Sequence, residues 1–457
     1  MKIYNKIILF TASILSFVSC ESFLDIDAPS SQLNSSNVFE EKATATAAMT
    51  DIYGKMRDAG MLTGTSSGLT SLLGIYTDEL DFYGSSETAG YLFYTNSLIP
   101  SNSTVKALWN SSYNQIYSAN LVIHGVQNSV NLSQTDRDQL KGEALFVRAL
   151  LHFYLANLYG DVPYLKSTDY LNNTQVARMP VSDVYSLCQE DLLEAINLLP
   201  NNYISGTRTR PNKFTAYALL ARVALYAGEN TIAREAASNV LNNTTLYQLE
   251  GNLDVMFIKT SRSTIWQFDP GASNQNTYEG STFIFQTGPP PVSALKQNLV
   301  DAFLPGDQRR AHWIKEITNG QSIWYHPYKY KIQNSTTPTE FPIVLRLSEI
   351  YLIRAEARAK LGDFAGAKED LNIIRQNAGI GNTSAMTQSE ILDDIFLQRR
   401  LELFTEFGHR FFDLKRLGQF EPLISLKPGW DAHDSLLPIP ESELLLNPAL
   451  LPQNPGY

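Results

Sequence analysis

The chain has 457 residues, 44% of them hydrophobic and 18% charged, with 46 acidic against 36 basic side chains and a net charge of −10. That composition suits a globular body with a substantial core, and an acidic chain without a basic run argues against nucleic acid and anionic lipid as partners. Two cysteines, Cys20 and Cys188, are too few for a disulfide framework or a cysteine-rich metal site.

Residues 1–19 begin with Lys2 and Lys6 and continue as an apolar stretch over 7–18. A charged start with a short apolar middle reads as an export signal, too short to anchor as an ordinary transmembrane helix. The junction Phe17, Val18, Ser19, Cys20 resembles the lipobox of bacterial lipoproteins, with Phe17 where leucine is usual. On that resemblance residues 1–19 are a lipoprotein signal peptide and Cys20 receives the lipid, whose acyl chains at about 0.8 kcal/mol per buried methylene hold the protein on a membrane. Cys188 then has no intrachain partner, and its spacing with Val184 and Leu192 places it on a buried helix face.

The run SSQLNSSN makes residues 20–37 a lipidated, polar tether. Helices are expected over about 38–61 and 106–130, the second with Trp109, Tyr113, Ile116 and Tyr117 on one side, and over 136–159 along the stripe Leu140, Ala144, Val147, Leu151, Tyr154 and Leu158. Ser182 offers an N-cap for a helix over 181–199. Tyr217, Ala221, Gly228 and Ala233 recur at the same spacing as Tyr351, Ala355, Gly362 and Ala367, each set reading as helix, glycine turn, alanine-rich helix. This pattern resembles the tetratricopeptide repeat, whose hairpins bury their apolar faces on one another. The expected hairpins pair 38–61 with 106–130, 136–159 with 181–199, 212–228 with 230–242, and 344–361 with 364–378. Residues 249–342 scatter Gly, Pro, Asn and Ser among aromatics and read as a loop-rich insertion with short strands. A helix from 388 to about 418 and an extended tail follow. The organisation is thus one body over 38–457, with helical-repeat segments at about 38–248 and 343–418.

Two motifs invite chemistry. EFGHRFFDLKR gathers Glu406, His409, Arg410, Asp413, Lys415 and Arg416, but on a helix these charges pair with one another and with nearby helix ends while Phe407, Phe411, Phe412 and Leu414 enter the core. Gly64, Ser66 and Gly68 spell the pattern of a hydrolase elbow, which needs a strand before the serine; here it follows a helix, so it reads as a polar loop. No P-loop, dinucleotide fingerprint, zinc-type histidine pair or EF-hand is present. No catalytic residue, metal or cofactor is expected.

Five segments in order resemble the SusD/RagB family of outer-membrane nutrient-binding lipoproteins of the Bacteroidetes: CESFLDIDAP, GEALFVRALLHFYLANLYGDVPY, VLRLSEIYLIRAEARAKLGDFAGAKEDLNIIR, RRLELFTEFGHRFFDLKRLG and LLPIPESELLLNPALLPQNPGY. The resemblance implies an all-α fold of tetratricopeptide-like hairpins with an irregular ligand-binding region. It further implies a lipid-anchored protein facing the cell exterior, which captures oligosaccharides, or in some members peptides, and delivers them to a SusC-like TonB-dependent transporter. The resemblance marks EFGHRFFDLKR as a scaffold signature.

A glycan presents flat C–H patches beside hydroxyls, so its sites combine exposed aromatic faces with Asp, Asn, Gln or Arg, usually on loops. One candidate set is Asp81, Tyr83, Tyr91, Tyr94 and Asn96; a second is Asn274, Gln275, Asn276, Tyr278 and Glu279; a third is Trp324 with Tyr325. Each aromatic could instead pin its loop to the body. Trp109, Trp266 and Trp313 read as core, and Trp430 fits either role. A helical-repeat adaptor and a surface glycoside hydrolase are the alternatives from other classes; the long aromatic loops and the export signal weigh against the first, and no acidic pair stands out for the second.

Overall fold

The computed structural model describes residues 38–271 and 276–457. Cys20, Asn274 and Gln275 therefore lie outside the described residues. Among the described residues no helix is long and apolar enough to cross a membrane, and no group of metal-ligating side chains assembles.

Helix α1 (Lys42–Asp58) buries Ala45, Met49, Ile52, Tyr53 and Met56 at three- and four-residue steps, the spacing of one helical face. After a polar loop come α2 (Leu69–Tyr76), strand β1 (Leu80–Phe82) and α3 (Ala89–Tyr94). Ser66 is exposed in that loop with no strand before it, which is incompatible with a nucleophile elbow. Asn102 starts α4 (Ser103–Asn128) by accepting from the amides of Thr104 and Val105 at 2.9 and 3.0 Å. Ser133 caps α5 (Gln134–Tyr159) through the Asp136 amide. The short connection 129–133 forces the chain back, so the hairpin partner of α4 is α5, with α1 lying against both; the expected pairing of the first helix with 106–130 is secondary to this.

Helices α6 (Tyr170–Asn173), α7 (Val181–Leu198), α8 (Lys213–Tyr226) and α9 (Asn230–Leu241) continue the stack, α7 on α5, α8 on α7, α9 on α8. Pro180, not Ser182, stands at the start of α7, where its fixed φ suits the helix entry. Cys188 is fully buried against the Ala149 carbonyl. The repeat then resumes far along the chain with α13 (Leu347–Lys360) and α14 (Phe364–Asn377), α13 packing on α9. Ala221, Ala233, Ala355 and Ala367 are fully buried at these close contacts, as their small size allows. Gly228 and Gly362 have φ of +79° and +84°, which explains the glycine in both turns.

Between the two halves run β2 (Thr264–Gln267), α10 (Tyr278–Phe283), β3 (Ser293–Leu295), α11 (Gln297–Val300), α12 (Gln308–Trp313), β4 (Ile314–Thr318), β5 (Ile323–Pro327) and β6 (Ile343–Arg346). The strands form three antiparallel pairs, β1 with β3, β2 with β6 and β4 with β5. Trp109, Trp266 and Trp313 are buried, and Trp430 joins them beside Tyr76.

The expected helix over 388–418 is two helices, α15 (Gln388–Leu403) and α16 (His409–Leu417), followed by α17 (Glu421–Leu426) and α18 (Glu441–Leu446). Thr405, Phe407 and Gly408 take positive φ at the break. The carbonyls of Glu402 and Phe404 freed there accept from Lys329 Nζ at 2.7 and 2.8 Å, and Arg346 bonds the Glu402 carbonyl at 2.7 Å, so a buried cation pair replaces the lost helical bonds. The charges of EFGHRFFDLKR find most partners elsewhere: Arg410 on Asp78, Asp413 on Arg399, Arg416 on Glu356, Glu406 on Arg346. The motif is a core hub joining both repeat segments. The whole is an all-α stack of tetratricopeptide-like hairpins carrying short strand pairs.

Candidate functional site

Strand β1 leaves α2 and pairs with β3, Asp81 opposite Ala294, and the Tyr83 amide extends the ladder to the Val292 carbonyl at 2.7 Å. This fixes Asp81 and Tyr83 at a sheet edge. Helix α3 follows within a few residues, and its three-residue step puts Tyr91 and Tyr94 around Phe82, with centroids 6.4 and 6.0 Å away. Just past the partner strand, Lys296 places Nζ 2.8 Å from Asp81 Oδ1 and 5.7 Å from the Tyr94 ring centre. Lys427 approaches the same ring at 4.4 Å from the C-terminal side. Burial is the main cause that pushes its ammonium down to about 7. The Tyr94 hydroxyl is pushed up, first by burial and then by the Asp81 charge.

The hairpin of β4 and β5 brings Trp324 to this edge. Its ring lies on Gly288 so closely that a Cβ there would sit 2.0 Å from ring carbon Cζ3, a contact only glycine permits. Trp324 approaches the Tyr83 hydroxyl closely enough to offset part of the rise that burial, first, and the Asp81 charge impose on it. Tyr83 and Tyr91 remain 41% and 37% exposed, and Trp324 is half-buried. The result is an aromatic platform, Tyr83 with Trp324 and flanked by Tyr91 and Tyr94, edged by the Asp81–Lys296 ion pair.

Asp81, Tyr83, Tyr91 and Tyr94 of the first sequence set thus come together with Trp324 of the third, while the second set does not join them. Tyr278 donates its hydroxyl to Asp58 Oδ1 at 3.1 Å, beside Arg57. Asn276 is fully buried; its amide nitrogen donates to Glu340, and its oxygen accepts from the amides of Thr339 and Glu340 at 2.9 and 3.2 Å. Asn96 is buried too, donating to the Tyr76 carbonyl at 3.1 Å from a backbone with φ +52°. Asn96 and Asn276 face inward as loop latches, which removes both as ligand contacts. Glu279 is buried beneath Gly64 with neither carboxylate oxygen hydrogen-bonded among the described residues, and burial pushes it up to about 7. Tyr325 turns away from Trp324 and lies under Arg310, 4.9 Å from ring centre to guanidinium.

Sequence reasoning missed Phe82, Gly288, Lys296 and Lys427. The GPPP turn before β3 signals a tight approach, but nothing in the sequence says that Trp324 fills it.

Comparison with known proteins agrees with this architecture. A SusD-like model described as starch-binding and associating with the outer membrane matches residues 22–225, and a SusD family model matches 309–457. The chain belongs to the SusD/RagB family. Among curated relatives it is 27% identical to SusD-like protein P2 of Formosa agariphila, with 100% of each chain covered. A SusD superfamily protein of Bacteroides vulgatus superposes with a TM-score of 0.80 at 21% identity, over 92% of this chain and 100% of that one. A laminarin-binding SusD-like protein gives 0.76 at 24%, over 91% and 99%, and surface glycan-binding protein A of Bacteroides fluxus 0.74 at 20%, over 91% and 100%.

Proposed function

We propose that this protein captures an oligosaccharide at the Tyr83–Trp324 platform and delivers it to a SusC-like TonB-dependent transporter, while a lipid on Cys20 holds it on the outer face of the outer membrane. The observation that carries the reading is the exposed Tyr83 ring at the β1–β3 edge, approached by Trp324, whose indole is seated on Gly288. Two rings offer faces for sugar C–H groups, and Asp81 with Lys296 offers an acceptor and donor for hydroxyls at its border. The solved glycan-binding relatives support the ligand class. The protein breaks no bond in this role: the platform is built of rings and one carboxylate, Asp81, paired with Lys296, and not of a carboxylate pair.

The test is calorimetric titration of the purified protein with plant, host and microbial oligosaccharides alongside a peptide pool. Heat with one glycan class, weakened by about 1–3 kcal/mol in Trp324→Ala, is the expected result. Heat with peptides alone moves the protein to the peptide-capturing branch and ends the sugar-stacking role of the platform.

A further inference from the structure

A second cleft lies on the helical body, between α4, the 163–174 connection and α18, with a volume of about 550 Å3. That is within the range of small-ligand sites. Its floor is the Trp109 ring, fixed by Tyr113 and Tyr159 at centroid distances of 4.9 and 5.0 Å. Its wall is Tyr170, 72% exposed.

The polar groups in the cleft divide into two kinds. Asn173 and Asn447 are occupied, donating to the carbonyls of Ser167 and Val176 at 2.9 Å each. The side-chain amides of Asn110 and Asn114, one helical turn apart on α4, take no partner among the described residues, nor does the Tyr170 hydroxyl; Glu443 accepts only a long bond, 3.4 Å, from Ser442. No lysine or arginine lines the cleft. Arg178, whose charge reaches Tyr113, is bonded to the carbonyls of Asp161 and Pro452 at 2.7 Å each.

We infer that this cleft is a second binding site, for a neutral saccharide, separate from the Tyr83–Trp324 platform. The inference rests on the glycan reading of the protein and adds a second place for the same class of ligand. Two free amides and a carboxylate match hydroxyls that both donate and accept, and the tyrosine ring offers a stacking face. A uronic acid or sulfate ester would meet Glu443 with no cation to answer it. Leu171 and Leu446, 71% and 74% exposed at the rim, would also suit a protein partner. Seating an apolar side chain would, however, bury the two amides and the carboxylate without partners, at about 1–3 kcal/mol each.

The experiment titrates laminarihexaose, cellohexaose, xylohexaose, mannohexaose and a set of uronic-acid oligosaccharides into the wild type, Trp324→Ala, the double variant Tyr170→Ala with Asn114→Ala, and all three changes together. With one neutral hexaose, Trp324→Ala retains a binding event that the combined variant weakens at least about tenfold, or 1.4 kcal/mol. Thermal melts confirm folding, which the exposure of Tyr170 and Asn114 favours. Wild-type binding that vanishes in Trp324→Ala alone overturns the cleft and leaves the platform standing. Binding lost in the double variant and untouched by Trp324→Ala supports the cleft and overturns the platform. Failure of every neutral hexaose overturns the cleft, and the acidic oligosaccharides then decide the platform. Cleft-dependent binding of peptide instead of sugar also overturns the inference.

Discussion

Arg346 and Glu406 form a two-point ion pair inside the protein, Nε 2.8 Å from Oε2 and Nη2 2.9 Å from Oε1. Arg346 also reaches Glu402 Oε1 at 2.7 Å, and Lys329 bonds Glu406 from the other side. The cluster ties β6 and the insertion to the break between α15 and α16, where backbone carbonyls would otherwise be unpaired. Removing one member of such a buried group leaves its partners charged and alone, so Arg346→Ala and Glu406→Ala are each expected to cost about 3–5 kcal/mol. Urea unfolding at neutral pH measures it; a loss below about 1 kcal/mol would mean that water replaces the pair without strain.

Glu279 makes a prediction about pH. Burial raises its carboxyl to about 7, with the Glu406 charge adding to the rise, whereas the unfolded chain titrates it near 4.5. A raised carboxyl contributes stability that is fully present below the unfolded value and lost as pH rises through the folded value. The difference in unfolding free energy between wild type and Glu279→Gln should therefore shift in favour of the variant by about 2–3 kcal/mol between pH 4 and pH 8. Glu79, also at about 7 through burial and the Asp78 charge, lies in the same window and cancels in that difference. His152, pushed down to about 3 by burial, acts the opposite way, destabilising the fold as pH falls below about 6.5, and it cancels too. A difference that stays flat with pH would contradict the raised carboxyl.

Gly228 and Gly362 isolate the cost of backbone geometry. Both have positive φ, and an added Cβ would meet no atom within 4 Å at either turn. Substitution by Ala therefore brings strain without a clash, and each variant should lose about 1–2 kcal/mol in thermal or urea unfolding. A neutral result at either would show that the turn relaxes to negative φ.

The repeats were legible because period and residue size act locally. Ala221 and Ala355 mark close helix contacts, and the two glycines mark turns, whatever the rest of the chain does. The platform was half legible. Asp81, Tyr83, Tyr91 and Tyr94 lie within one short insertion and stay together, while Lys296, Trp324 and Lys427 reach them from distant parts of the chain. Asn96 and Asn276 read as ligand contacts because their type says polar, yet the backbone around each turns the amide inward to loop carbonyls and amides. The break at 404–408 escaped notice since its cause, Lys329 and Arg346 taking the freed carbonyls, lies outside the helix pattern.

The last prediction separates the platform from the loop latch that resembled it in sequence. Tyr278 and Trp324 are both half-exposed aromatics, but Tyr278 spends its hydroxyl on Asp58 and Trp324 rests on Gly288. Tyr278→Phe removes one hydrogen bond to a charged, partly exposed carboxylate, so it should lower stability by about 0.5–1.5 kcal/mol and leave glycan affinity unchanged. Gly288→Ala should do the reverse. Its Cβ displaces the Trp324 ring from the turn, so affinity falls by about 1–3 kcal/mol, as in Trp324→Ala, while the helical core that sets the melting transition is untouched. Titration and unfolding on the same preparations check both. If Tyr278→Phe weakened glycan binding and Gly288→Ala did not, the ligand would sit beside Asp58, and the platform would be a packing feature of the β4–β5 hairpin.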